Sequence, residues 1–310
     1  MATHNLNSTK EIILLGLSSD RTTQILLFVL VLLMYIFILV GNLGVIALVQ
    51  LESHLQTPMY FFLSHLSSAE ICFVTTNLPQ LLDQLLTGRG VISLARCALQ
   101  MYTTLSLGCI EAFLLGVMAY DRYLAVCRPL VYVTIMEKRR QFQLASACWL
   151  AGFSIAAICS SLTFRHTFCH SCCINHFVCE IPMVVKMACD DTSVTELIIV
   201  VFAGVVILGP FLLIVTSYCL ILFSVLKMRS ATGLRKVFST CGSHLLAVLV
   251  FYGPSTLNYI IPHEGEAADN DKKVAVFYLV FTPLLNPLIY TLRNKDIHEA
   301  MAKLVRRWQS

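Results

Sequence analysis

Glu70 and Glu111 are the residues of this chain whose setting most demands chemistry. Each interrupts a long apolar run, where an ionised carboxylate is costly. At about 1.5 Å per helical residue both lie roughly 16–18 Å from the inner ends of their runs, so they share a depth. Two carboxylates at one level repel unless a cation or a proton lies between them. Two readings follow: a Na⁺ site, with Asn42 and Asn286 nearby and somewhat lower, or a hydrogen-bonded pair that shares a proton. A second candidate is Asp121-Arg122-Tyr123, where another apolar run stops. An acid–base pair at the rim of a membrane helix is a working surface or, more plainly, a helix end whose Arg snorkels. A third is Cys169-His170-Ser171-Cys172-Cys173 followed by His176, which reads as soft-metal donors or, more plainly, as cysteines that oxidise.

These residues are positioned by a very apolar chain. Hydrophobic residues make up 57% of its 310 residues and charged residues 13%, and the mean hydropathy is +0.76. A soluble domain carries about 25% charged residues, so an ordinary soluble fold is excluded. No basic, aromatic-interleaved patch suggests nucleic acid. Ile25 to Val49 is an apolar run without a charge, longer than a signal-peptide core, and reads as a first membrane span. Further spans are expected near Pro58–Leu86, Cys97–Tyr123, Phe142–Leu162, Glu196–Leu226, Val237–Ile261 and Val274–Leu292. Runs this long and evenly apolar are helices rather than barrel strands. The expected architecture is an all-α membrane protein, a seven-transmembrane helix bundle. Residues 1–24 form its outer tail, 25–292 its membrane domain and 293–310 a short cytoplasmic amphipathic helix.

Orientation follows from charge. The segments on one side hold 14 of the 22 Lys and Arg residues, among them Arg122, Lys138, Arg139, Arg140, Lys227, Lys236 and Arg293. The other side has eight, with Glu180, Asp190, Asp191 and Glu264 beside them. The positive-inside rule makes the first set cytoplasmic and the N-terminus extracellular. Asn7-Ser8-Thr9 then lies outside as a glycosylation sequon. Cys97, Cys169, Cys172, Cys173, Cys179 and Cys189, six of the thirteen cysteines, are also outside. Six cysteines allow 15 pairings, and spacing alone chooses none.

The string Met118-Ala119-Tyr120-Asp121-Arg122-Tyr123 resembles the end of the third helix in rhodopsin-like G-protein-coupled receptors, in the form of the vertebrate odorant receptors, tetrapod (class II) branch. Other blocks carry the same resemblance in the same order. They are Gly41-Asn42, Pro58-Met59-Tyr60 onward, Ser217-Tyr218, Lys236 to Leu245 with His244, and Pro283-Leu284-Leu285-Asn286-Pro287-Leu288-Ile289-Tyr290. Together they cover about residues 11 to 305. The resemblance implies disulfides Cys97–Cys179 and Cys169–Cys189, and it leaves Cys172 and Cys173 as a third bridge or two free thiols. It implies a ligand cavity among the outer halves of helices three, five, six and seven. On helix three the residues there are Thr104, Leu105, Gly108, Cys109 and Ala112. Helix five offers Phe202 and Val206, helix six Tyr252, Ser255, Thr256 and Tyr259, and helix seven Val276 and Leu279. Each is equally suited to plain bundle packing.

That lining holds no acid and no base, so it favours a small, neutral, largely hydrophobic odorant over an amine or a carboxylate. Ten heavy atoms at about 0.6 kcal/mol each gain roughly 6 kcal/mol, which is tens of micromolar. For coupling, the resemblance singles out Asp121, Arg122, Tyr123, Tyr218, Lys236, His244, Asn286, Pro287 and Tyr290. Pro254 and Pro287 each remove a backbone hydrogen bond and permit a bend. The implied function is an odorant receptor of the plasma membrane, in olfactory cilia. It needs no cofactor beyond a Na⁺ that would act allosterically, and it works through a stimulatory heterotrimeric G protein and cyclic AMP. A non-olfactory receptor for a lipid is the nearest alternative. A secondary transporter is the rival from another class, but no internal repeat supports it. A retinal protein needs a Lys inside the last helix, where Lys272 and Lys273 lie only at its outer start. No nucleophile–base constellation marks an enzyme.

Overall fold

A computed structural model describes residues 11–168, 173–227, 241–254 and 267–292, with Ile297 and Ala300. The expected spans are helices α1 (Arg21–Leu51), α2 (Pro58–Thr87), α3 (Leu94–Cys127), α5 (Lys138–Phe164) and α7 (Ser193–Lys227), then α8 and the last helix. α8 is described over Cys241–Pro254. The last runs as α9 (Ala267–Val276), a π-helical turn Phe277–Phe281 and α10 (Thr282–Leu292). Short helices α4 (Pro129–Ile135) and α6 (Ile181–Val185) lie in connections. Asn7, Lys236, the cytoplasmic tail and the ends of the sixth span lie outside the described residues.

Five of these helices are long and apolar enough to cross a membrane. α2 is not among them, and the reason is legible in its side chains. Glu70, Asn77 and Gln84 are buried in it, because α1 and α3 flank it and take up the faces that lipid would otherwise meet. α3 is the hub, packed against α2, α5 and α7. By contrast α1 and α7 expose rows of Leu, Val and Phe. Such rows suit hydrocarbon contact and would be a liability in water.

Local rules set the ends. Asp20 caps α1 by accepting from the Thr23 N–H at 2.8 Å, and Ser93 caps α3 by accepting from Arg96 at 3.2 Å. α2 opens on Pro58, whose missing N–H costs nothing there. It closes on Gly88, whose φ of 71° is the left-handed conformation that favours glycine.

The all-α expectation needs one correction. Three short strands form a sheet at the end of the bundle that the charge placement marks as the outer one, in the order β2-β1-β3. β1 (Glu11–Leu14) pairs antiparallel with β2 (Val91–Ser93), Ile12 opposite Ile92. It pairs parallel with β3 (Cys173–Ile174), Ile13 opposite Cys173. Alternation explains it: Ile12 and Leu14 face inward while Glu11 and Ile13 face out. The inward pair joins Ile92, Ile174, Cys97 and Cys179 in a second apolar cluster above the main core.

Close approach of α3 and α5 depends on Gly152. A Cβ there would lie 2.6 Å from the Ile110 side chain and 2.8 Å from the Ser106 carbonyl oxygen. Gly152→Ala should lower stability by about 1–3 kcal/mol through overpacking. Gly44→Ala meets nothing within 4 Å and should be neutral or slightly stabilising through helix propensity. Thermal denaturation of the purified receptor in detergent checks the contrast.

Candidate functional site

Among the outer halves of the helices lies a cavity of about 130 Å³. An apolar cavity of about 150 Å³ takes benzene, so the space suits a small ligand. Thr104, Leu105, Gly108, Cys109 and Ala112 of α3 form one wall, with Val206 of α7 and Tyr252 of α8 opposite. The Cys97–Cys179 disulfide, with Cα atoms 5.5 Å apart, pins the loop that covers the cavity through Cys179, Glu180, Ile181 and Pro182. Cys189 is also disulfide-bonded. Cys169 and Cys172 lie outside the described residues, and Cys173 is a free, exposed thiol, so no third bridge uses it. Among the described residues no cluster of His, Cys, Asp and Glu is arranged for a metal ion.

Several expected cavity residues lie elsewhere. Phe202 packs into the outer apolar cluster. Leu279 is fully buried in the main core, and Val276 packs against it. Helix seven, which carries a π-helical turn at Phe277–Phe281, presents Tyr278 and Thr282 to the cavity instead. Ser255, Thr256 and Tyr259 lie outside the described residues. The sequence reading missed Phe73, Met101, Ile207 and Phe251, and more importantly Glu111 and Glu180. The cavity wall is therefore not free of acids. Tyr278 donates its hydroxyl to Glu180.

Glu111, at the inner end of the α3 wall, connects the cavity to a buried polar cluster. Asn286 donates its amide to Glu70, and the Asn42 side chain also hydrogen-bonds that carboxyl. Asn286 thus reaches the level of Glu70 instead of lying below it. Glu111 Oε1 and Asn286 Oδ1 are buried and have no hydrogen-bond partner among the described residues. Pro287 packs where α1 has Gly41, and a Cβ at Gly41 would meet it at 2.9 Å. Tyr290 is buried with its hydroxyl unpaired among the described residues.

Toward the inner end, His244 of α8 joins three helices. The Tyr218 hydroxyl of α7 lies 2.8 Å from its Nδ1, and its Nε2 lies 3.1 Å from the Leu115 carbonyl of α3. The carbonyl fixes the tautomer: Nε2–H donates to it, and Nδ1 accepts from Tyr218. Tyr252 makes a second link from α8, donating to the Ala112 carbonyl at 3.3 Å. Asp121 is buried and accepts from Tyr132 of α4 at 2.9 Å. It forms no ion pair with Arg122 among the described residues. Tyr123 packs with Tyr218 against Ile221, Val225 and Cys241.

An apolar helix bundle with an outer cavity joined by polar links to its inner end is a multi-pass membrane receptor. A family model described as olfactory receptor matches residues 31–307. The chain is 42% identical to olfactory receptor 5F1 of Homo sapiens over 307 residues, 99% of this chain and 98% of that one. It is 44% identical to human olfactory receptor 13C2, covering 96% and 95%, and 42% identical to olfactory receptor 8U9 of Mus musculus, covering 98% and 97%. The chain belongs to the olfactory receptor family, seven-helix G-protein-coupled receptors that bind odorants and are not enzymes.

One outer constellation had no sequence signal. His166, just past α5, places Nδ1 2.6 Å from Asp190 Oδ2 and Nε2 2.8 Å from Thr195 Oγ1 at the start of α7. Thr167 N–H donates to the other Asp190 oxygen at 3.1 Å. The order matches a Thr–His–Asp relay, but Thr195 is 3% exposed, too enclosed to meet a substrate. The group is a clamp between the outer ends of the fourth and fifth spans. The hydrogen bond to His166, helped by Thr167, holds the Asp190 carboxyl below its ordinary value of 3.8. A lowered folded-state value means the stabilisation is complete above 3.8 and is lost as pH falls through the folded value. The denaturation temperature should therefore drop on acidification from about pH 5 to about pH 3. Asp190→Asn should start lower and drop less over the same range, as measured by thermal denaturation at stepped pH.

Proposed function

We propose that this receptor binds a small, neutral, largely hydrophobic odorant in the outer cavity and activates a stimulatory, cyclic-AMP-coupled G protein at its inner end. The N-terminus is extracellular and the segment after α10 is cytoplasmic, in accord with the charge asymmetry of the connections. The site of action is the plasma membrane of olfactory cilia. The observation that carries the coupling is the pair of links from helix six to α3. Tyr252 lines the cavity and holds the Ala112 carbonyl, and His244 holds the Leu115 carbonyl one helical step further in. An agonist that displaces the Tyr252 ring loosens the outer link. Helix six then swings outward, and the equilibrium shifts toward a state that admits the G protein. Asp121, Arg122 and Tyr123 form the inner contact surface, and Lys236, with its positive charge, belongs with them. Since Asp121 is held by Tyr132, Arg122 is already available to the G-protein segment.

Neutrality of the ligand rests on the two cavity acids being engaged. Glu180 accepts from Tyr278. Glu111 lies beside Glu70, with Na⁺ or a shared proton between them. The ion or proton takes the other Glu111 oxygen, Oε2, and the unpartnered Asn286 Oδ1 is the kind of oxygen a hard cation takes. Binding of this ion favours the resting state.

Arg122→Ala should leave ligand binding intact and abolish G-protein nucleotide exchange; retained exchange at equal surface expression would overturn the inner site. His244→Phe removes a link worth about 1 kcal/mol and should raise ligand-independent exchange by about fivefold. Both are read with purified heterotrimer and a fluorescent guanine nucleotide.

A further inference from the structure

Each hydroxyl in the described cavity wall already donates its proton to the protein. Thr104 donates to Asn77 Oδ1 at 2.9 Å and Thr282 to the Val250 carbonyl at 3.2 Å. Tyr252 donates to the Ala112 carbonyl at 3.3 Å and Tyr278 to Glu180. A hydroxyl has one hydrogen, so all four present only lone pairs to a ligand. The other polar side chains of the described wall are the Glu111 and Glu180 carboxyls and the weakly donating thiol of Cys109. Among the described wall residues there is no Lys, Arg, His, Asn, Gln or Trp. The described side chains of the wall accept hydrogen bonds and scarcely donate them.

One acceptor still needs a partner. Glu111 is 3% exposed, lines the cavity, and its Oε1 has no hydrogen-bond partner among the described residues. Such a buried oxygen is costly until something donates to it. Space for that donor lies beside it. Thr104, Gly108 and Glu111 follow one another along one face of α3 at helical spacing, and a Cβ on Gly108 would meet nothing within 4 Å.

We propose that the cavity selects among small apolar ligands by the hydrogen bond they donate. Alcohols and phenols lie against Gly108 with the hydroxyl on Glu111 Oε1. Aldehydes, ketones, esters and ethers of the same carbon skeleton are refused, because they bring lone pairs to a wall of lone pairs and leave Glu111 unpaired. This rests on the small neutral ligand proposed above and adds the functional group that is recognised.

The test uses the full-length receptor in lipid nanodiscs and matched triplets of one skeleton: a primary alcohol, its aldehyde and its methyl ether, over several chain lengths and one aromatic series. Ligand-induced thermal stabilisation across a concentration series gives each affinity without any G protein. The alcohol should bind at least about tenfold more tightly than either partner. Gly108→Leu, which fills the open space, should abolish binding of all three. Val206→Asn, which adds an amide donor opposite, should bring the aldehyde to within about threefold of the alcohol. Equal affinities within each triplet, with Gly108→Leu still blocking all three, would overturn the donor rule and leave the cavity reading standing. Binding unaffected by Gly108→Leu, or no binding by any member of any triplet, would overturn the cavity reading and the donor rule with it. Should Val206→Asn fail to fold, the triplet comparison in the unaltered receptor decides alone.

Discussion

Inside a hydrocarbon slab a polar side chain has only protein to bond to, and most of this bundle's organisation follows from that constraint. The simplest answer is a bond back to the same helix. Ser64 donates to the Phe61 carbonyl, Ser68 to Ser64, Thr76 to Cys72 and Thr163 to Cys159. These satisfy a hydroxyl without linking anything. Most of the bonds that cross between helices converge on two of them. Thr104 on α3 reaches Asn77 on α2, Asn286 reaches Glu70 on α2, and Tyr252 and His244 both reach carbonyls of α3. α2 and α3 are the helices most enclosed by others, so they can hold polar groups that α1 and α7 cannot.

The same constraint explains what could be read from the sequence. Thr104, Leu105, Gly108, Cys109 and Ala112 recur at helical spacing, and a straight helix carries all of them to one face. Uninterrupted apolar runs are equally local, so the ends of the first five spans were legible to within a few residues. Helix seven defeats this reasoning. Val276 and Leu279 turn to the main core while Tyr278 and Thr282 reach the cavity, and the π turn at Phe277–Phe281 interrupts the α-helical periodicity with no sequence marker. Nor does periodicity reach the connections. Glu180, Ile181 and Pro182 enter the cavity because the Cys97–Cys179 bridge draws the loop inward, and β1 forms because strands from two other connections lie beside it. His166, Asp190 and Thr195 stand 24 and 29 residues apart along the chain, and only the meeting of two helix ends unites them.

The links from helix six are weak in a way that suits a switch. Both terminate on carbonyls in the middle of α3, oxygens that a regular helix already engages. At 3.3 Å for Tyr252 and 3.1 Å for His244, each falls toward the long end of hydrogen-bond geometry. Two neutral bonds of this kind contribute about 1–3 kcal/mol together. A ligand shifts an equilibrium only by the difference in its affinity for the two states, and a small odorant gains only about 6 kcal/mol in all. A buried ion pair in the same place would cost several kcal/mol to break and would hold helix six against any ligand of this size. In the proposed mechanism, the choice of Tyr and His at these positions, instead of charged groups, keeps the resting state within reach of a weakly bound molecule.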